Sequence, residues 1–288
     1  MKAIVIGANG QLGNDLTEEL SGRGWNVTGL THGDIAVEDP AAVFKAIQAV
    51  RPDVVFNTAA FHVVPKCEEE PLRAFQVNAL GALNVTRACA EVGTRVVYYS
   101  TDYVFDGEKR APYTEDDGPN PLNIYAGTKL LGERFTLNYG KDNLVLRVCG
   151  LYGKVPCRAK GANFVTTMLK AAREKREVRV VKDETLSPTS AREAARKSLD
   201  LLDAGGTGLF HLVSEGHCSW YEFARVIFDT LGLTTPLVPV PASEFPSSVR
   251  RPSYSALDNR RLRTTGLSPM PEWRDSIVRF LHEHAGEL

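Results

Sequence analysis

Ala3-Ile4-Val5-Ile6-Gly7-Ala8-Asn9-Gly10-Gln11-Leu12-Gly13 is the stretch that decides the fold. Its first four residues are an unbroken apolar run, which suits a strand buried on both faces of a parallel sheet better than one with a wet face. Leu12, Leu16 and Leu20 follow at helical spacing. Between the two elements, glycines permit a tight turn and let a diphosphate approach the backbone, while the first helical turn supplies partial positive charge. A glycine triplet alone also serves an ordinary strand-to-helix turn. Its flanking elements tilt the reading to a dinucleotide loop, with Gly7, Asn9, Gly10, Gln11, Leu12 and Gly13 as cofactor-binding residues.

Outward from this loop the pattern repeats. Asp53-Val54-Val55-Phe56 reads as a strand, and Leu72, Phe75, Ala79 and Leu83 stripe a helix. Asn26 to Leu30, Arg95 to Tyr99 and Leu144 to Leu146 are further strands, the last two separated by a helix around Tyr125 to Asn138. This alternation predicts an α/β fold: a Rossmann-type doubly wound parallel sheet over residues 1–153, with ligands at the carboxyl ends of its strands. Beyond Gly153 the rhythm loosens into helices near 163–175, 190–203, 219–231 and 272–285, with strands near 178–181 and 208–213. Residues 154–288 are expected to form a smaller C-terminal substrate-binding lobe, interleaved with the first through strands that return to the main sheet. Five prolines, Pro236, Pro239, Pro241, Pro246 and Pro252, argue against regular structure over most of 234–252 and for an ordered loop.

The chain has 288 residues, 43% of them hydrophobic and 24% charged, enough to bury a real core. Thirty-four Lys plus Arg against thirty-five Asp plus Glu leave a formal charge of −1, which excludes the basic footprint of a dedicated nucleic-acid binder and gives no support to a membrane-surface role. Five scattered cysteines without CxxC spacing suggest neither a zinc site nor a disulfide framework, and the six histidines show no ligand spacing, so no metal is expected. Glu68-Glu69-Glu70 reads as three acids opening a helix, and Cys149 as packing. No apolar run approaches the ~20 residues needed to cross a bilayer, and Met1 to Gly10 holds no signal-peptide core. A cytoplasmic protein is expected.

Two further signals carry chemistry. Tyr125-Ala126-Gly127-Thr128-Lys129 places a phenol and an ammonium four residues apart on one helix face. A neighbouring cation stabilises phenolate and draws a tyrosine pKa from ~10 towards the working pH, as a general acid for a ketone requires. Thr101, at the end of the strand before that helix, adds a hydroxyl at the predicted ligand edge. Where dinucleotide folds that prefer an unphosphorylated ribose carry an acid, at the end of the second strand, this chain has Thr31-His32-Gly33 and no acid until Asp34. Thr31 and His32 can donate to a 2′-phosphate, or be solvated loop residues. The balance leans to NADPH, with NADH allowed.

Together these residues resemble the extended short-chain dehydrogenase/reductases, and within them the dTDP-4-dehydrorhamnose reductase family, over nearly the whole chain. Gly7, Gly10 and Gly13 resemble that family's cofactor loop, and Asp34-Ile35 the pair beside its adenine. Asn57-Thr58-Ala59-Ala60-Phe61 and Val77-Asn78-Ala79 are similar to segments beside its cofactor. Ser100-Thr101-Asp102-Tyr103-Val104-Phe105-Asp106-Gly107, followed by Tyr125 and Lys129, is the most specific match. The resemblance implies Thr101, Tyr125 and Lys129 as catalytic triad and Ala59, Ala60, Phe61, Asn78 and Ser100 as cofactor neighbours. It places Thr101, Asp102, Tyr103, Gly150, Arg250 and Arg251 at a nucleotide-sugar substrate. Paired guanidinium groups match phosphate oxygens, although two solvated arginines would read the same.

Gly150 stands where many rhamnose-forming members have a Trp, and Glu184 and Leu186 replace an expected Gln and Gly. The implied activity is NAD(P)H-dependent reduction of the 4-keto group of a nucleotide-diphosphate 6-deoxy-4-ketohexose, with room for a homodimer. A nucleotide-sugar epimerase or dehydratase, and a non-catalytic NADP-binding subunit resembling the methionine adenosyltransferase regulatory subunit, stay open as alternatives.

Overall fold

The computed structural model describes residues 1–140, 142–157, 159, 161–245 and 247–284. Strands β1 (Lys2–Ile6), β2 (Asn26–Leu30), β3 (Val54–Asn57), β4 (Arg95–Thr101) and β5 (Leu144–Val148) are joined by Gly208–His211 in one six-stranded sheet. Every pairing is parallel, and the order is β2-β1-β3-β4-β5 followed by Gly208–His211. The unbroken apolar run of β1 is explained by burial on two sides. Ala3 and Val5 enter one core with Leu12, Leu16 and Leu20, whereas Ile4 and Ile6 enter another with Val43, Ile47, Val85 and Cys89.

Helix α1 (Gln11–Gly22) lies on the first face, and α2 (Pro40–Val50) and α5 (Gly81–Val92) on the second. The second half of the chain completes this architecture. Ala191, Ala194, Ala195 and Leu199 of the helix Ala191–Asp203 pack into the α1 core, and the edge strand Gly208–His211 pairs with β5. A separate core forms where Tyr152 meets Phe223 and Phe280, between the helices Phe164–Glu174, Trp220–Leu231 and Trp273–His284. Chain order reverses between β1 and β3, which puts the topological switch, and hence the ligand crevice, at the glycine loop.

One local expectation is refined and two need correction. Within the proline-rich stretch, Leu237–Val240 forms a strand parallel to Val178–Val181, in register with Pro239 opposite Val180. A two-stranded ribbon is all edge, so a proline is tolerated there. The apolar stripe of one helix is broken: α3 (Val64–Glu69), α4 (Pro71–Ala74) and a π-helical turn (Phe75–Leu80) precede α5, leaving Leu72 77% exposed and Ala79 buried. Glu68 and Glu69 close α3 rather than open a helix, and Glu70 joins it to α4. Pro246 and position 285, included in two of the expectations, lie outside the described residues.

Candidate active site

The glycine loop begins at Gly7, whose φ of +83° favours glycine, and whose amide donates to the Leu30 carbonyl at 2.7 Å. A Cβ on Gly13 would sit 2.1 Å from the Gly7 carbonyl oxygen, so only glycine lets α1 start this close to the loop. Gly10 caps α1 without a side-chain hydrogen bond. The amides of the first turn, at Gln11, Leu12 and Gly13, therefore present an uncapped positive helix end beside Asn9, an arrangement that fits a dinucleotide diphosphate. Gln11 also reaches across the cleft, where its Oε1 accepts from Asn163 Nδ2 at 3.1 Å.

At the end of β2, Asp34 Oδ2 accepts from the Thr31 amide at 2.8 Å and its hydroxyl at 2.7 Å. These bonds from Thr31 hold the Asp34 carboxyl below its ordinary range. An ionised acid thus does stand at the end of β2, and the Thr31 hydroxyl proton is already committed, contrary to the expectation that Thr31 is available to a 2′-phosphate. His32 lies exposed in the same turn as Gly33, and Ile35 is buried in the core beneath it.

Tyr125 sits in the first turn of α6 (Ile124–Asn138), an end fixed from three directions. Asn123 Oδ1 accepts from Ala126 N at 2.9 Å, Asn123 Nδ2 donates to the Arg250 carbonyl at 3.0 Å, and Glu68 Oε1 accepts from Ile124 N at 2.8 Å. The Thr101 hydroxyl acts on the Tyr125 phenol, and the Tyr103 ring meets the Tyr125 ring edge-on at 6.3 Å. Lys129, one turn further along α6, is buried; its Nζ donates to the Tyr99 carbonyl at 2.6 Å and lies 4.0 Å from the Tyr98 ring centroid. Burial lowers the Lys129 pKa to about 7, opposed by the charge of Glu133. The expected depression of the phenol pKa is not found: burial pushes Tyr125 up, with the Thr101 hydroxyl pulling back. The physical reason is that the Lys129 ammonium is turned onto β4.

Asn78 and Ser100 stand one layer behind the crevice. Asn78 Oδ1 accepts from Phe61 N at 2.8 Å, while its Nδ2 donates to the Phe61 carbonyl and to Thr128 Oγ1 at 2.9 and 3.1 Å. It clamps the loop carrying Ala59, Ala60 and Phe61 to α6, with both amide protons committed to that role. Ser100 Oγ donates to Glu133 Oε1 at 2.5 Å, and Glu133 in turn pairs with Arg147 through two contacts of 2.8 and 2.7 Å.

On the substrate side, Asp102 is buried and accepts from the Thr101 hydroxyl and Cys149 Sγ, both at 3.1 Å. Cys149 thus packs in a core with Val104, Phe105 and Leu186, as expected, and in addition donates to the site. Arg251, though exposed, brings its charge to both Tyr103 and Glu184; burial raises the Glu184 carboxyl, and Arg251 pulls it down. Arg250 is exposed and joins the site through its main chain. Gly150 has φ of +51°, and a Cβ there would meet Leu186 Cδ1 at 2.7 Å. Sequence reading missed Glu68, Glu133, Arg147 and Asn163, because each acts through a partner distant in the chain. A buried acid four residues after Lys129 was the one local signal for Glu133. Among the described residues, no group of three His, Cys, Asp or Glu side chains converges as a metal site, and no helix is long and apolar enough to cross a membrane.

Comparison with known proteins shows the family. A family profile described as RmlD substrate binding domain matches residues 1–285. The spore coat polysaccharide biosynthesis protein SpsK of Bacillus subtilis is 37% identical over 284 residues, covering 99% of this chain and 98% of that protein. The dTDP-4-dehydrorhamnose reductase of Escherichia coli is 33% identical over 302 residues, covering 98% of each. The crystal structure of a Bacillus anthracis dTDP-4-dehydrorhamnose reductase in complex with NADP superposes with a TM-score of 0.93 at 35% identity, over 98% of this chain and 99% of that one. The chain belongs to the dTDP-4-dehydrorhamnose reductase family of the extended short-chain dehydrogenase/reductases.

Proposed function

We propose that this protein reduces the 4-keto group of a dTDP-linked 6-deoxy-4-ketohexose with NADPH. The carrying observation is that Thr101, at the carboxyl end of β4, acts on the phenol of Tyr125 in the first turn of α6, with Lys129 one helical turn behind and bonded to the Tyr99 carbonyl of the same strand. NADPH, when bound on the glycine loop, supplies the hydride; the chain supplies placement and charge. Tyr125 gives its phenolic proton to the carbonyl oxygen, and Thr101 orients that oxygen. Lys129 sits close enough to β4 to exchange its Tyr99 carbonyl partner for a sugar hydroxyl of the cofactor. Gly7, Gly10, Gln11, Leu12 and Gly13 receive the diphosphate, and Arg251, from beside Tyr103, receives that of the sugar nucleotide. The acid at the end of β2 leaves NADH acceptable as a second donor.

On this reading residues 1–153 hold the cofactor and 154–288 the sugar nucleotide, with Ala191–Asp203 and Gly208–His211 lent back to the first unit. A dehydratase would need a second acid after Thr101, and this chain has the Asp102-Tyr103 pair, with burial pushing the Tyr103 phenol up. We place the enzyme in the cytoplasm as a homodimer, the exposed Leu72, Phe75 and Leu131 being the apolar surface that supports self-association. The test is NADPH absorbance against a panel of nucleotide 4-ketosugars. Oxidation with the dTDP-4-keto-6-deoxyhexoses is expected. Absence of turnover on every member, with a partner enzyme co-purifying, would favour a regulatory subunit instead.

A further inference from the structure

We propose that Cys157 and His62 form a reactive thiol–imidazole pair at the mouth of the catalytic crevice, a site of covalent modification by hydroperoxides. The two residues are 95 positions apart in the chain, yet His62 Nε2 and Cys157 Sγ lie 3.0 Å apart, and both residues are partly exposed. The other imidazole nitrogen fixes the tautomer. His62 Nδ1 faces the Ala60 carbonyl at 3.2 Å, and a carbonyl only accepts, so Nδ1 carries the proton and Nε2 presents its lone pair to the thiol. A nucleophile, a base and a group orienting the base are the three parts needed to activate a thiol. No third metal-ligating side chain joins them among the described residues.

The remaining cysteines lack this setting. Cys67, Cys89, Cys149 and Cys218 are buried, and burial drives their thiols upward, Cys67 to about 11. A buried thiol with a raised pKa is inert, whereas a partly exposed one beside a base is nucleophilic. Position supplies the consequence. His62 directly follows the Ala59–Phe61 loop, and the charge of Cys157 acts on the Tyr125 phenol.

The step balances as follows. Nε2 takes the thiol proton, the thiolate attacks one peroxide oxygen, an S–O bond forms and the O–O bond breaks. Sulfur is oxidised to the sulfenic acid, the peroxide is reduced, and the imidazolium proton leaves with the departing oxygen, as water from hydrogen peroxide or as an alcohol from an organic hydroperoxide. Two equivalents of a small thiol reverse it, releasing a disulfide and water.

The experiment treats the full chain with hydrogen peroxide, traps sulfenic acid with dimedone, and locates the adduct by mass spectrometry. A parallel arm measures iodoacetamide alkylation of each cysteine against pH. The adduct is expected on Cys157, with alkylation near pH 7 about tenfold or more faster than for glutathione. His62→Gln should remove that advantage while Cys157 still alkylates fully at high pH, and Cys157→Ser should abolish the adduct. Alkylation of wild-type Cys157 no faster than glutathione, or a rate unchanged by His62→Gln, overturns the proposal. These readouts need no sugar substrate, so they stand apart from any failure of the reductase reading.

Discussion

The Lys129 ammonium donates to the main-chain carbonyl of Tyr99 at 2.6 Å, which ties the cation of α6 to the strand that ends in Thr101. The helix carrying Tyr125 and the strand carrying Thr101 are thereby locked in one register. The position is costly for the charge: burial draws its pKa to about 7 from 10.5.

A pH dependence follows from that value. Above about pH 7 the free enzyme loses the Lys129 proton, so kcat/KM should fall on the alkaline side with an apparent pKa near 7. Stability moves the other way. The unfolded chain keeps this proton up to the ordinary 10.5, so this group's contribution to stability rises with pH from about 7 to 10.5. A kcat/KM flat to pH 9 would remove Lys129 as the titrating group.

Behind Lys129, Glu133 and Arg147 pair where each side chain is only 2% exposed. Replacing Arg147 by Met strands a buried carboxylate and should cost about 3–5 kcal/mol in urea unfolding. Adding Glu133→Leu to that variant should recover part of the loss. Additive losses would show that the two side chains do not interact.

His211 closes the same network, with Nδ1 at 3.1 Å from the Asp258 carbonyl and Nε2 at 3.5 Å from Arg147. Burial, aided by the Arg147 charge, lowers its pKa from 6.5 to about 3. The unfolded chain therefore protonates first, and the stability this group contributes above pH 6.5 is lost progressively as pH falls towards 3. His211→Gln should flatten the fall in melting temperature across that window, a comparison made by calorimetry. An equally steep fall in the variant would assign it to other groups.

Gly150 and Leu186 exclude each other's side-chain volume. A Trp at 150 would collide with Leu186 Cδ1 and would carry a left-handed backbone that costs about 1–2 kcal/mol. Gly150→Trp alone should lower the melting temperature sharply, whereas Gly150→Trp with Leu186→Gly should regain the part of the loss that comes from the collision, the backbone cost remaining. If the second substitution gives no recovery, the collision is not the cause.

Much of this was legible locally, because local chemistry dictated it. Ala3 to Ile6 are apolar because both sheet faces are covered, and Tyr125 and Lys129 share a face because four residues make about one turn. Asn78 was found by its position, but its role as a clamp on Phe61 depends on the bend of the π-turn. Contacts that join distant segments left no periodic trace: Glu68 to Ile124, Arg147 to Glu133, Gln11 to Asn163 and His62 to Cys157. The strand at Pro239 was hidden because proline's rule against sheets does not apply to a solvent-facing edge.

The most direct measurement is the turnover of Tyr125→Phe, followed as loss of NADPH absorbance on a dTDP-4-keto-6-deoxyhexose, alongside NADPH binding by the same variant. Loss of the positioned acid should reduce kcat by about 10²–10⁴ while cofactor affinity stays near that of the wild type. A variant that binds NADPH and turns over at nearly the full rate would contradict the assignment of proton transfer to Tyr125.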